Sequence, residues 1–244
     1  MSDFGLWEVL GSLPLLANFT LQAIDPESHP THAPQNSKSQ SGGPKYFEAL
    51  KSLCITGSFF LIWHLLGFID SPCLKSIEIY PVINPNHEPK DFFAPSMTVV
   101  ASKWSQSLKN LVIESSSNDT VQCYPISKYL ILLLTILHVM QTFHLKDWEM
   151  KSLNDDVRGL VKLWPKLRTL NLDRTPISLS TLRIIAESCP ELCHLHIWLD
   201  VSTIPPFDTS SKSLHHNLEV LTVVRAPPLK QYWNFKSMWH NIWI

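Results

Sequence analysis

Glycine is scarce, with 7 in 244 residues, and that scarcity removes one class of function at once. Loops that cradle phosphate need glycines at fixed spacing so that the backbone can approach the anion, and neither GxGxxG nor GxxxxGK[ST] occurs. Surplus charge is equally lacking, since the formal net charge is −1 and like charges never run to five in a row. Nucleic acids and anionic membrane surfaces are bound through clustered cations, so neither is expected as a partner. The cysteines, at positions 54, 73, 123, 189 and 193, are odd in number and irregularly spaced. A secreted disulfide framework needs an even and denser set, so an intracellular location, cytoplasmic or nuclear, is expected. Long apolar runs are missing too. The greasiest, YLILLLTILHVM at 129–140, has 12 residues, whereas a bilayer span needs about 20. The opening MSDFGLWEVL carries Asp3 and Glu8 in place of the basic n-region of a signal peptide. The chain reads as soluble.

What is present is apolar content, at 45%, enough for most of the chain to fold, and a phrase that recurs. Within residues 167–199 the pattern Leu167-x-x-Leu170-x-Leu172 returns as Leu192-x-x-Leu195-x-Ile197. Further copies begin at Leu16, Leu50, Leu74, Leu108, Met140 and Leu218, so the starts are separated by 34, 24, 34, 32, 27, 25 and 26 residues. The last three separations fall in the range of leucine-rich repeats. In the closing three residues of each phrase side chains alternate, so the two apolar ones face a core and their neighbours face away. One such unit cannot bury its own apolar face, which demands neighbours to stack upon. The expected fold is therefore an α/β leucine-rich-repeat solenoid, a horseshoe. Parallel strands would line its concave face, with helices or irregular segments on the convex face.

Outside the phrases, residues 2–12 and 153–163 have helical apolar spacing, 59–69 is an apolar run of helix length, and 96–104 is a further candidate helix. In 153–163, Leu153, Val157, Leu160, Val161 and Leu163 form the apolar side, while Asn154, Asp155 and Asp156 occupy the first turn, where the helix dipole favours negative charge. Polar, Pro-rich stretches at about 24–45 and 81–95 read as insert loops, and Arg174, Thr175 and Pro176 as a turn. The repeat domain is expected over 1–228. The remaining 229–244, LKQYWNFKSMWHNIWI, carries no phrase and reads either as an aromatic helix capping the core or as an aberrant tail.

The stretch from 140 to 208 resembles the leucine-rich-repeat half of the large F-box-like protein family of mushroom-forming fungi. The carrying segments are QTFHLKDW, LNDDVRGLVKLWPKLRTLNL, LRIIAESCPELCHLHI and STIPPFD. The likeness implies a substrate-recognition platform for a cullin-type ubiquitin ligase. The F-box that would dock a Skp-type adaptor is not recognisable, because Leu13-Pro14 is followed by Leu-Leu-Ala. A free-standing interaction solenoid, or a fragment without a ligase connection, is the alternative expectation.

Function is expected on the outward strand positions, since concave surfaces are where such arrays hold partners. Tyr80, His144, Lys146, Asn171, Asp173, His194, His196 and Trp198 stand out, for they combine the aromatic, hydrogen-bonding and charged groups of binding hot spots. His144, Asn171 and His196 occupy equivalent positions in successive repeats. The His194-x-His196 pair lacks the further ligands of a tetrahedral metal site, and Cys189 reads as a small apolar residue in a helix-to-strand turn. Neither GxSxG nor HExxH occurs. The expectation is a non-enzymatic protein that binds an unidentified protein and uses no cofactor.

Overall fold

The alternation inside the eight phrases becomes eight strands of a single parallel sheet. A computed structural model describes residues 9–22, 46–82, 90–115, 124–126, 128–150, 153–200 and 217–224. The sheet comprises β1 (Asn18–Gln22), β2 (Ser52–Gly57), β3 (Ser76–Pro81), β4 (Asn110–Glu114), β6 (Thr142–Lys146), β8 (Thr169–Ser178), β9 (His194–Asp200) and β10 (Val220–Val224), joined in that order. Two short strands, β5 (Tyr124–Ile126) and β7 (Trp148–Met150), pair separately, also in parallel. No sheet position is skipped by a crossover, so each strand lies beside its predecessor in the main sheet.

The phrases stack in register. Phe19 lies opposite Leu53, Leu53 opposite Ile77, and so on through Leu111, Phe143, Leu170 and Leu195 to Leu221. The leading residues Leu50, Leu74, Leu108, Met140, Leu167 and Leu192 are all completely buried. Just ahead of each strand one backbone carbonyl accepts two consecutive N–H groups from the next repeat. Ala17, Lys51, Lys75, Lys109, Gln141, Arg168 and Cys193 play this part, at 2.7–3.1 Å. Polar backbone at the strand entrances is thereby satisfied from repeat to repeat, which lets the apolar anchors beside it stay dry.

Among the described residues five helices connect the strands: α1 (Phe59–Phe68), α2 (Lys90–Trp104), α3 (Lys128–Leu134), α4 (Leu153–Leu163) and α5 (Leu179–Ser188). Their buried side chains share one cluster with the inward strand residues, which places the core between sheet and helices. Ser58 and Ser178 start α1 and α5 by accepting the N–H groups of Leu61 and Thr181 on their hydroxyls, each at 3.3 Å. In α4, Val157, Leu160 and Val161 are buried and Leu163 partly so, as the apolar spacing requires. Asn154 of that first turn accepts the N–H of Ser178 at 3.0 Å, and Arg158 donates to Ser180 and Thr181, so α4 also fastens the start of α5.

Two readings of the sequence need correction. The insert expected at 81–95 gives way to helix from Lys90, with Pro95 inside it. Proline removes one N–H from a helix, but here Met97, Val100, Ala101 and Trp104 on the following turns are buried and hold the helix to the core. The turn expected at 174–176 is instead the middle of β8, where the register shifts between Leu172 and Pro176. A strand tolerates proline at such an irregularity because the ladder bond is already interrupted there. Thr175 is completely buried at the same place. The insert at 24–45, the segment 229–244 and residues 2–8 lie outside the described residues. No helix among the described residues is long and apolar enough to cross a membrane.

Candidate functional site

Outward side chains alternate with the buried anchors on β2, β3, β4, β6 and β9, and on β8 as far as its irregularity, and all the residues singled out from the sequence fall on that outward face. Parallel register converts them into rows running across the sheet. In the central row Glu78 of β3 lies opposite Val112 of β4, then His144 of β6, Asn171 of β8, His196 of β9 and Thr222 of β10. The His144, Asn171, His196 alignment expected from the phrase spacing is therefore a real neighbour relation. His194 belongs to a different row, between Thr169 and Val220, and is exposed. The irregularity in β8 shifts the upper end of β9, so Trp198 faces Pro176 on one side and Val224 on the other.

A charged row borders this central one. Glu114 lies opposite Lys146, and the two form an ion pair. The Asp147 backbone N–H, held in a left-handed conformation at φ 64, donates to Asp173 Oδ1 at 3.1 Å. Asp147 in turn accepts Nε and Nη2 of Arg174 at 3.3 and 3.2 Å. Aspartate tolerates positive φ better than most residues, and the contact with Asp173 fixes that conformation. On β3, the Tyr80 hydroxyl donates to Glu78 Oε2 at 3.1 Å. Lys146, Asp173 and Tyr80 thus each belong to a bonded pair or chain. Glu78, Glu114, Asp147 and Arg174 complete the set.

Burial controls the electrostatics of this face. It pushes the Tyr80 hydroxyl up to about 12, with help from the adjacent Glu78 charge. It also raises the Asp173 carboxyl above the ordinary range, an effect opposed by the Asp147 N–H. It lowers the His144 imidazole, against the pull of Glu114 and Glu78, which favour the charged ring. Lys146 moves the other way, held up mainly by its bond to Glu114. Two buried atoms of the central row, His144 Nε2 and Asn171 Oδ1, have no hydrogen-bond partner.

Cys189 lies behind the face, completely buried, with its sulfur 3.6 Å from the carbonyls of Val161 and Trp164. Burial pushes its thiol up to about 12, so it packs as the small apolar residue the sequence suggested. Among the described residues no three His, Cys, Asp or Glu side chains gather into a metal-binding set. Comparison with models of known protein families and with curated proteins gives no match. The residues of the face themselves therefore carry the functional reading.

Sequence reasoning left Glu78 and Glu114 out of the preferred set, although their alternation parity was visible in the phrase. Asp147 and Arg174 gave no such signal. Their roles depend on the left-handed turn after β6 and on the irregularity in β8, neither of which has a marker in the sequence.

Proposed function

We propose that this chain is a leucine-rich-repeat solenoid whose strand-lined concave face binds another protein without catalysing a reaction. The observation that carries this is the in-register central row. It sets polar and aromatic side chains side by side across neighbouring strands, half-buried, with two buried polar atoms still lacking partners. Side chains preorganised by backbone pairing lose little entropy on binding. The fungal F-box-like resemblance supports a receptor half that presents substrates to a cullin-type ubiquitin ligase.

The test is affinity capture with the purified full chain, compared with His196→Ala and Trp198→Ala. Both residues lie on the face without anchoring the core, so their loss should remove a bound protein by about tenfold or more while the melting temperature holds. Capture that is unchanged by both substitutions would sink the assignment of this face. Retention of a Skp-type adaptor by the same purified chain would support the ligase connection, whereas failure to retain one favours a free-standing interaction solenoid.

A further inference from the structure

The main sheet ends at β1 on one side and at β10 on the other, and among the described residues no strand pairs with the outer side of either. An edge strand presents a row of unpaired N–H and C=O groups, which proteins commonly guard with charged side chains or proline. Neither edge carries such a guard, for β1 reads NFTLQ and β10 reads VLTVV. The core beneath them is open as well. Phe19 and Leu21 of β1, and Leu221 and Val223 of β10, are only partly buried, whereas their counterparts Leu53, Ile55, Leu195 and Ile197 are at most 1% exposed. Leu13, three residues before the leading Leu16, is 44% exposed, against 1% for Phe47 at the same place in the next repeat.

The two edges complement each other. In every internal repeat the carbonyl just ahead of the strand accepts two consecutive N–H groups from the next repeat, a series running from Ala17 to Cys193. Glu219 holds the following place in that series, and among the described residues nothing donates to its carbonyl. At the opposite end the N–H groups of Ala17 and Asn18 hold the places that would donate to a preceding repeat, and no described carbonyl accepts them. The register kept by all eight strands would set Phe19 beside Leu221 and Leu21 beside Val223. Antiparallel pairing of two β10 edges would instead offer Glu219 no such pair of donors and would leave the core under β1 open.

We propose that the β10 edge docks the β1 edge of a second copy of this chain, so that the parallel sheet continues from one molecule into the next. The Glu219 carbonyl then accepts the Ala17 and Asn18 N–H groups, and Phe19 and Leu21 close the core beside Leu221 and Val223. A head-to-tail contact of this kind is heterologous, so it joins copies into rings or open chains rather than a twofold dimer. It goes beyond the binding face described above, because it uses the two ends of the sheet and none of the central row.

Disulfide mapping on the full chain tests the register. Asn18 and Val220 are exposed outward residues that fall opposite each other in the proposed pairing, and neighbouring strands about 4.8 Å apart are within reach of a disulfide. Asn18→Cys and Val220→Cys are purified separately, mixed and oxidised beside the parent chain, whose own cysteines set the background. Peptide mass spectrometry should find a bridge between positions 18 and 220 in the mixture and in neither variant alone. Light scattering over a wide concentration series should show the mass of the parent rising beyond that of two chains. The Val220 N–H points to β9, so by alternation that of Val223 points away from it. Val223→Pro therefore removes an outer donor without breaking the β9 ladder, and it should abolish the rise while circular dichroism melting shows the fold retained. If that variant does not fold, the disulfide map decides alone. A mass of one chain at every concentration overturns the inference, and so does a rise that folded Val223→Pro leaves unchanged. A bridge joining position 220 to itself in two copies overturns it too, since β10 would then pair with β10.

Discussion

At the scale of single residues, Asp173 is held in place at an energetic cost. Burial disfavours its ionised form, and the Asp147 charge adds to this, while the Asp147 N–H and the Arg174 charge offset part of it. Its folded carboxyl therefore titrates above the unfolded one. The folded state binds the proton more readily, so this group's contribution to stability falls as pH rises through the unfolded and then the folded value. Asp173→Asn keeps an oxygen to accept the Asp147 N–H but removes the charge. The variant should equal or exceed the parent in stability at neutral pH, by less than about 1 kcal/mol because the site is half open to solvent. That advantage should vanish as pH drops below the ordinary aspartate range. Urea unfolding of both proteins at neutral and acidic pH checks this, and a variant clearly less stable at neutral pH would show that attraction to Arg174 outweighs burial.

At the scale of elements, contacts between repeats do work that the repeating phrase does not encode. Lys103 near the end of α2 donates its ammonium to the carbonyls of Gly67 and Ile69 at the end of α1, at 2.6 and 2.8 Å, and pairs with Asp70 at 2.9 Å. The last carbonyls of a helix have no partners within it and carry partial negative charge, so a cation is well placed there. Lys103→Met should cost about 1–2 kcal/mol. Hydrogen exchange should quicken first at the end of α1, and uniform protection throughout that helix would refute the capping role. Next along, the Trp104 indole N–H donates to the carbonyl of Ser71, whose hydroxyl donates to Leu50 and Glu48 carbonyls. The strands were legible because their alternation and shared register repeat in every unit. These links were not, since each occurs once and joins residues far apart in sequence. The same holds for β8, where local composition (Arg174, Thr175, Pro176) signals a turn and only pairing with β9 keeps the chain extended. Three residues before the leading position, Phe47, Ser71, Leu137, Trp164 and Cys189 are also buried. Only Cys189 of that slot was legible as a packing residue, because aromatic, aliphatic, hydroxyl and thiol side chains share the position without a common type.

At the scale of the whole molecule, stability should pass along the sheet from neighbour to neighbour, because the eight strands of the main sheet pair successively in chain order, with β5 and β7 set apart from it. Such arrays behave as near-neighbour chains, in which damage at the centre uncouples both sides and damage at an end stays local. Phe143 of β6 offers the central test. It is 1% exposed, packs its ring against Trp164 at 5.1 Å, and lies between Leu111 and Leu170 in register. Leu221 of β10 occupies the equivalent position in the last strand and is only partly buried. Phe143→Ala should cost about 3–5 kcal/mol, and Leu221→Ala less than the 2–5 kcal/mol of a fully buried leucine. The spatial pattern is more telling than the totals. Hydrogen exchange in Phe143→Ala should accelerate in β4, β6 and β8 together, since each loses an ordered neighbour, whereas Leu221→Ala should leave β6 and β4 protected. Equal loss of protection throughout the sheet in both variants would mean that the chain unfolds as one unit. The proposed binding face, spanning β3 to β9, would then open and close as a whole, rather than keeping its central row ordered while the last strand frays.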